Sequence, residues 1–315
     1  MFTSLMLFIL SLLLLWFGAG LAVNAVIRIA HSLHLKPFFV SFFVLGFFTS
    51  ITEIMVGTNA LVQNQPEIFV GNLVGSSVVV FLLIIPILSV LGNSIKLNHS
   101  LNFKDLLTAS LVVGIPAILT LDNTITTIDA LVCVLIYVYF LYMQYKNTRS
   151  KENLVRANLT RPLLVKNVFR VVIAVAIVFV ASNLLVHNTV ILGNFIGISP
   201  YILSILVLSI GTNVPEITIA IRAVVERKSD VALGDYLGSA SLNTLELGIL
   251  SLINRKSVSA EGSNFSIVAF LVGLCLFVYF GKSKSSISRW EGFGLLAMYA
   301  IFVVCELITG PGWTF

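Results

Sequence analysis

Two glutamates lie inside apolar stretches of the 315-residue chain, each at the end of a segment rich in hydroxyl and amide groups. The segments read GFFTSITE (46–53) and SIGTNVPE (209–216). A charged side chain at the centre of a bilayer costs at least ~2.5 kcal/mol on insertion scales, so an acid there is a functional candidate. Hard cations such as Ca²⁺ bind carboxylate, hydroxyl, amide and carbonyl oxygens, whereas softer metals call for Cys or His. The two segments therefore predict an oxygen-lined cation site, and a neutral, hydrogen-bonded acid at a helix kink is the alternative.

A second pair of motifs, GNLVGSS (71–77) and GDYLGSA (234–240), combines glycines with a serine at the same place. Small residues let membrane helices approach closely, which explains the glycines but not the repeated hydroxyl group. Asn243 and Glu246 follow the second motif, and their spacing of three places them on one helix face. We expect both to belong to the cation site. Asp235, near the expected start of its helix, is interpreted as a capping residue.

The elements that must hold these motifs are membrane spans. Hydrophobic residues make up 58% of the chain and charged residues only 10%, whereas a soluble domain carries roughly 25% charged residues. Apolar runs of about 18 to 20 residues recur along the chain, and each can cross ~30 Å of hydrocarbon. This composition excludes soluble enzymes and DNA-binding domains and indicates an all-α polytopic membrane protein. Ten transmembrane helices are predicted, at 4–27, 38–62, 67–92, 106–121, 125–145, 167–187, 198–222, 231–253, 264–281 and 290–309.

The basic residues predict the orientation of these spans. With the N-terminus outside, 17 of the 19 Lys and Arg residues fall on the inner side, and only Arg255 and Lys256 fall outside. Cytoplasmic loops carry an excess of basic residues, so we predict a multi-pass protein of the plasma (inner) membrane with both termini outside. The basic stretch 146–166 is then a central cytoplasmic loop between a first repeat (1–145) and a second repeat (167–315).

The two halves of the chain are related by an internal repeat. A shift of 163 residues aligns 41–76 with 204–239 at eleven identical positions without a gap, including the threonine, glutamate, glycines and serine of the motifs. Each half holds five spans, an odd number, so the second half enters the membrane in the opposite sense. Inverted repeats of this kind are typical of secondary transporters, whose sites lie near the midplane between the repeats. The predicted fold is therefore two inverted five-helix repeats.

The paired motifs, FTSITE…VGNLVGSS (48–77) and GTNVPE…LGDYLGSASLN (211–243), resemble the α-repeats of the cation/calcium antiporter (CaCA) superfamily, and most closely its prokaryotic sodium/calcium exchanger branch. The resemblance covers essentially the whole chain. It implies a four-helix core of spans 2, 3, 7 and 8, with Glu53 and Glu216 as the central Ca²⁺ ligands and with the first and sixth spans sliding across this core. The flanking Na⁺ sites that it implies use the side chains of Thr49, Ser50, Ser76, Thr212, Asn213 and Ser239 and the carbonyl groups of Gly46 and Ser209.

Three positions depart from the family pattern. Val80 stands where the family usually has Asn, Asn243 where the counterpart is often Asp, and Thr52 where a Pro usually precedes the glutamate. Val80 removes one oxygen from the midplane. Glu246, one turn beyond Asn243, is expected to restore a charge to the site, and an acid hydrogen-bonded between helices is the alternative for it.

The predicted function is secondary active antiport of Ca²⁺ for Na⁺ (or H⁺) by alternating access. The alternatives are a divergent exchanger that is coupled to protons or carries another cation, and a channel-like or non-transporting homologue. An intramembrane enzyme would need a nucleophile–base pair, a metal site or an arginine clamp at depth, and no His or Arg lies at the predicted midplane. The expected partners are the transported ions and the lipid bilayer, without a cofactor or nucleic acid, and a monomer is compatible with this activity. Glu306, near a predicted outer end, is expected to be solvated.

Overall fold

The computed structural model describes residues 2–32, 46–92, 94–96, 103–149, 161–217, 220–221, 229–262, 264–284 and 286–309, and these residues are mainly helical. The first half contains α1 (Phe2–Ser32), α2 (Gly46–Thr49), α3 (Ile51–Val62), α4 (Pro66–Val79), α5 (Ile85–Leu91), α6 (Phe103–Leu119) and α7 (Thr127–Arg149). The second half contains α8 (Arg161–Ile196), α9 (Pro200–Leu203), α10 (Ser209–Thr212), α11 (Ser229–Asn254), α12 (Asn264–Lys284) and α13 (Arg289–Thr309). These elements coincide with the ten predicted spans, three of which are interrupted.

The span lengths differ from the prediction mainly at α8. This helix has 36 residues and therefore rises about 54 Å at ~1.5 Å per residue, well beyond the ~30 Å hydrocarbon core. Hydropathy marks only the apolar part of such a helix, which is why 167–187 alone was predicted. Both α7 and α8 extend into the predicted central loop: α7 ends at Arg149, and α8 begins at Arg161. Residues 150–160 of that loop, and 38–45 of the predicted second span, lie outside the described residues.

The second and seventh spans break at positions that the repeat relates to each other. The helix is interrupted at Ser50 between α2 and α3, and at Asn213 directly after α10. Pro215 explains the second break because a proline cannot donate its backbone nitrogen. In the first repeat, Thr52 takes this place, and its hydroxyl oxygen lies 3.1 Å from the carbonyl oxygens of both Thr49 and Thr212. The one proton of this hydroxyl group is shared between these carbonyl oxygens and the Glu53 carboxyl group, at the place where the other repeat has a proline.

Two π-helical turns interrupt the third and seventh spans. They cover Val80–Ile84, between α4 and α5, and Ser204–Leu208, between α9 and α10. In each turn a backbone N–H reaches back five residues, from Ile85 to Val80 and from Ser209 to Ser204. Such single turns are frequent at functional sites because they change which face of the helix the following side chains occupy.

Glycines allow the core spans to approach at backbone distance. A Cβ atom added to Gly71 would lie 2.6 Å from the carbonyl oxygen of Tyr201, and one added to Gly75 would lie 2.5 Å from that of Ile205. On the other side of the core, a Cβ on Gly46 would lie 2.9 Å from the backbone nitrogen of Ser239. The third span is thereby pressed against the seventh, and the second against α11, so the two repeats meet at their motifs.

The outer helices α1 and α8 pack along each other and flank this core. Gly18 of α1 lies against Val178 of α8, and Asn59 of α3 donates to the Ser182 hydroxyl group of α8 at 2.7 Å. Much of the remaining surface of these two helices is apolar and exposed, for example Phe17, as expected for side chains that face lipid.

Four two-residue strands tie together the connections between the helices. The strands are β1 (Ile95–Lys96), β2 (Thr124–Ile125), β3 (Val258–Ser259) and β4 (Ser286–Ile287). The first pairs with the fourth and the second with the third, in both cases antiparallel. Each pair links a connection of the first repeat to one of the second.

Candidate cation site

The two predicted central acids are buried where the repeats meet. Glu53 is 2% exposed and Glu216 is 1% exposed, and their carboxyl groups lie close enough for the charges to interact. Each follows a helix break by three residues, at Ser50 and at Asn213. Since a buried charge requires a partner of opposite charge or several hydrogen bonds, the polar atoms around each acid determine what it can do.

Around Glu53, these polar atoms form a connected network that we call the closed half-site: Glu53, Asn72, Ser76, Thr212 and Asn213. The Ser76 hydroxyl group donates to Glu53 Oε1 at 3.3 Å, and Asn213 Nδ2 donates to Ser76 Oγ at 2.8 Å. Thr212 Oγ1 donates to Asn72 Oδ1 at 3.2 Å. From outside this set, the Thr52 hydroxyl group donates to Glu53 Oε2. Both oxygens of this carboxyl group are therefore already hydrogen-bonded.

The repeat-related residues form an open half-site: Thr49, Ser50, Glu216, Asp235 and Ser239. One of its hydrogen bonds mirrors the closed half-site, since Thr49 Oγ1 donates to Asp235 Oδ1 at 3.3 Å. The other bonds are not mirrored, because Ser239 Oγ donates to the Tyr236 carbonyl oxygen of its own helix. Within the described ranges, Glu216 Oε2, Asp235 Oδ2 and Ser50 Oγ are buried and have no hydrogen-bond partner. The open half-site therefore contains three buried oxygens that could each coordinate a cation.

The two predicted carbonyl ligands are engaged inside their own helices. The Gly46 carbonyl oxygen accepts from Thr49 Oγ1 at 3.2 Å, and the Ser209 carbonyl oxygen accepts from Asn213 Nδ2 at 2.7 Å. These bonds hold the ligand side chains near the helix breaks. Their contribution in this conformation is therefore to position the side chains.

Asn243 and Glu246 lie on α11 beyond the open half-site and are also buried, at 4% and 6% exposure. Glu246 interacts electrostatically with both central glutamates. Neither oxygen of its carboxyl group has a hydrogen-bond partner among the residues that the structure describes. The structure therefore brings this residue toward the site.

Asp235 is a buried acid beside the predicted ligands, although it was not predicted to be one of them. It was interpreted as a helix cap, but it lies within α11 and is fully buried. The signal that could have found it is its spacing from Ser239, Asn243 and Glu246, since steps of four, four and three residues keep all of them on one helix face. The expectation of a solvated Glu306 was also wrong, because this side chain is 1% exposed and accepts a hydrogen bond from the Ser266 hydroxyl group.

This arrangement can coordinate a dehydrated cation only with mixed oxygen ligands. Over the described part of the chain, no three His, Cys, Asp or Glu side chains form a group that could hold a metal ion by themselves. A shell around a dehydrated cation would therefore need hydroxyl, amide or carbonyl oxygens beside the carboxyl groups. Ca²⁺ accepts such shells because it takes six to eight oxygens in flexible geometry.

Comparison with known proteins establishes the family. The sodium/calcium exchanger protein family matches residues 3–146 and 166–307. The chain belongs to this family. It is 26% identical over 298 residues to the uncharacterized membrane protein MJ0091 of Methanocaldococcus jannaschii, covering 94% of this chain and 95% of that protein. It is 25% identical to the putative antiporter CaxA of Alkalimonas amylolytica, covering 92% and 94% of the two chains.

The fold of this exchanger-family chain is also that of a solved structure. The sodium-calcium exchanger NCX_Mj, soaked with Na⁺ and Sr²⁺, superposes with a TM-score of 0.70 at 24% identity, covering 96% of this chain and 98% of the other. The family match over both halves and this superposition confirm the predicted fold class, an all-α membrane protein of ten helices in two inverted five-helix repeats.

Proposed function

We propose that the chain is a secondary active antiporter that exchanges Ca²⁺ for Na⁺ (or H⁺) across the plasma membrane by alternating access. One observation carries this proposal. Glu53 and Glu216 come from oppositely inserted segments, and both are buried with a side-chain hydroxyl group beside them, that of Ser76 beside Glu53 and that of Thr49 beside Glu216. A pair of buried carboxyl groups is costly unless cations or protons neutralise it, so the site has a stable state with bound cargo.

The hydrogen bonds between repeats support an exchange rather than a leak. Thr212 of the second repeat bonds Asn72 of the first, and Thr49 of the first bonds Asp235 of the second. The ligands on one repeat therefore depend on the other repeat for their position. Ions that compete for the same carboxyl oxygens bind in turn, and this competition is the physical basis of countertransport.

The outer helices provide a route for the conformational change. Because α1 and α8 pack along each other and present apolar surfaces to lipid, they can move as one body over the core. Leu12 of α1 lies against Gly211, next to the site, at a place where a glycine leaves no side chain in the way. In the proposed orientation both termini lie outside and the 146–166 loop is cytoplasmic.

Gradient-driven ⁴⁵Ca²⁺ uptake into proteoliposomes tests the proposal. We expect Na⁺-loaded vesicles to take up Ca²⁺, and the E53Q/E216Q double variant to lose this uptake while keeping the shape of its side chains. E261Q serves as a control for the replacement of a glutamate by glutamine, because it removes one negative charge on the exposed connection after β3. Uptake by the double variant at the rate of E261Q would refute the assignment of the site.

The same proteoliposome assay can identify the coupling ion. Val80 is buried at the start of a π-helical turn, at the place where the family usually has Asn. Its side chain offers no oxygen ligand, which favours a divergent, proton-coupled exchanger as the second candidate. Imposing a Na⁺ gradient at equal pH, and then a pH gradient without Na⁺, separates the two. Uptake driven by neither gradient, but passive and without saturation, would favour a channel-like homologue instead.

A further inference from the structure

The two half-sites are unequal, and one residue makes part of that inequality permanent. The 163-residue shift relates Asp235 to Asn72, and each accepts a hydrogen bond from the threonine of the opposite repeat. The remaining atom of Asn72 is an amide nitrogen, which repels a cation. The remaining atom of Asp235 is a carboxyl oxygen, which attracts one. Within the described residues, neither of these two atoms has a hydrogen-bond partner.

We propose that Asp235 creates a subsite for a small monovalent cation such as Na⁺ in the open half-site, together with Glu216 and Thr49. This inference rests on the proposed function, since it assigns one of the two ions to a particular half of that site. It also predicts that the closed half-site, where Asn72 takes the mirrored position, binds this ion more weakly.

The position of Asp235 supports this assignment. It is fully buried on α11, its charge interacts with that of Glu216, and the Thr49 side chain interacts with both carboxyl groups. When the Thr49 hydroxyl group donates its proton to Asp235 Oδ1, the lone pairs of its oxygen remain available to a cation. Asp235, Glu216 and the Gly46 carbonyl oxygen all lie around this one hydroxyl group and share its single proton, so the two carboxyl groups and the hydroxyl oxygen lie together at Thr49.

Ser50 adds a fourth oxygen from the same helix break. It follows Gly46 by four residues and so lies on the same face of the second span. Gly46 is held against the backbone of Gly238 and Ser239, which places Ser50 beside α11. Its hydroxyl oxygen is buried and has no hydrogen-bond partner within the described ranges.

The number and charge of these oxygens favour a monovalent ion over Ca²⁺. The four oxygens of Thr49, Ser50, Glu216 and Asp235 fall short of the six to eight that Ca²⁺ takes. Glu53 would bring further oxygens to a divalent shell, but each of them already accepts a hydrogen bond, from Thr52 and from Ser76. A monovalent ion has half the charge, so its hydration shell is replaced at a lower cost.

Equilibrium binding of ²²Na⁺ to the purified protein tests the subsite without depending on transport. The D235N variant keeps the shape of the side chain and an acceptor for Thr49, and it gives position 235 the same chemistry as its repeat counterpart Asn72. We expect its Na⁺ affinity to fall roughly 10- to 100-fold, the range found when a supporting group of a metal site is removed. Its affinity for ⁴⁵Ca²⁺, measured in the same preparation, should fall by a smaller factor.

A charge-conserving swap separates position from net charge. The N72D/D235N variant has the same number of carboxyl groups as the natural chain but carries the acid in the closed half-site. We expect it to bind ²²Na⁺ as weakly as D235N, because Glu53 in that half is already hydrogen-bonded by Thr52 and Ser76. Restoration of the natural Na⁺ affinity by the swap would show that only net charge matters, and it would overturn the proposal.

Two other results would also overturn it. Natural Na⁺ affinity in D235N would remove Asp235 from the subsite, and an equal loss of Na⁺ and Ca²⁺ affinity would make Asp235 a ligand of both ions. If D235N does not fold, T49V is measured instead. This variant keeps the carboxyl group of Asp235 and removes the hydroxyl group between Asp235 and Glu216. An unchanged Na⁺ affinity in T49V would also contradict the proposal. Failure of the antiport assignment appears separately, as retained Ca²⁺ uptake by E53Q/E216Q.

Discussion

The contact between the third and seventh spans predicts a large effect for a very small substitution, Gly75→Ala. The added Cβ would lie 2.5 Å from the carbonyl oxygen of Ile205, whereas ordinary van der Waals contact begins at 3.4 Å. The neighbouring atoms are backbone and the Cβ of Ser209, so no flexible side chain can move aside. The spans must therefore separate by about 0.9 Å, and overpacking of this kind costs about 1–3 kcal/mol.

The same displacement reaches the cation site through the next residue. Ser76 Oγ accepts a hydrogen bond from Asn213 Nδ2 at 2.8 Å. A separation of about 0.9 Å would lengthen this distance to about 3.7 Å, which is no longer a hydrogen bond. Because Ser76 also donates to Glu53, the closed half-site would lose one of its links between the repeats, the one that reaches Glu53. We expect the apparent Ca²⁺ affinity of Gly75→Ala to fall roughly 10- to 100-fold.

Gly294→Ala is the matched control for this prediction. It makes the same change on α13, where an added Cβ would meet nothing within 4 Å. Replacing a helical glycine by alanine stabilises the helix by about 1 kcal/mol in both variants. The difference between their unfolding free energies therefore measures the steric cost of the close contact, about 1–3 kcal/mol. Thermal unfolding in detergent and ⁴⁵Ca²⁺ uptake in proteoliposomes measure the two effects. If Gly75→Ala unfolds at the temperature of Gly294→Ala and retains its Ca²⁺ affinity, the close contact between these spans does not position the site.

Three further substitutions give independent tests. Val80→Asn supplies the oxygen that the family pattern has at this place and should raise calorimetric Ca²⁺ affinity; no gain would count against the repeat-based geometry. Ser266→Ala removes the hydroxyl group that donates to buried Glu306 and should lower the unfolding free energy by about 1–3 kcal/mol. We expect a lower melting temperature, whereas the dependence of uptake on Na⁺ should not change. Asn59→Ala removes the hydrogen bond to Ser182 between α3 and α8 and should change the rate of uptake more than the ion affinities; an affinity change as large as the rate change would contradict a role in helix movement.

The sequence predicted the scaffold well because the scaffold depends on composition and on the repeat. Apolar runs locate spans, and an odd number of spans per repeat inverts the second half. Depth in the membrane, by contrast, does not reveal the partners of a side chain. Glu306 lies near the end of a span, where solvation was expected, but it packs against Ser266 of α12 and is buried. Only the packing of α12 against α13 decides this outcome.

The sequence proposed the members of the site but not the asymmetry of their hydrogen bonds. The repeat alignment paired Glu53 with Glu216 and Ser76 with Ser239 as equals, and all four side chains are buried in the structure. Hydrogen bonding then distinguishes them, since Ser76 bonds its glutamate and Ser239 bonds its own helix. The π-helical turns could not be predicted either, because hydropathy does not register one additional residue in a helical turn.

The difference between the half-sites has two origins, and they have different consequences for exchange. The hydrogen bonds of Ser76 and Ser239 involve identical residues, so a conformational change that exchanges the roles of the repeats can also exchange these bonds. The pair Asn72 and Asp235 differs in chemistry, so no movement can make these positions equal. The first kind of asymmetry belongs to one conformation and the second to the chain itself. A monovalent cation would therefore bind beside Asp235 in the same half-site whichever side of the membrane the site faces, whereas the hydrogen bonds of the closed half-site would change with the conformation.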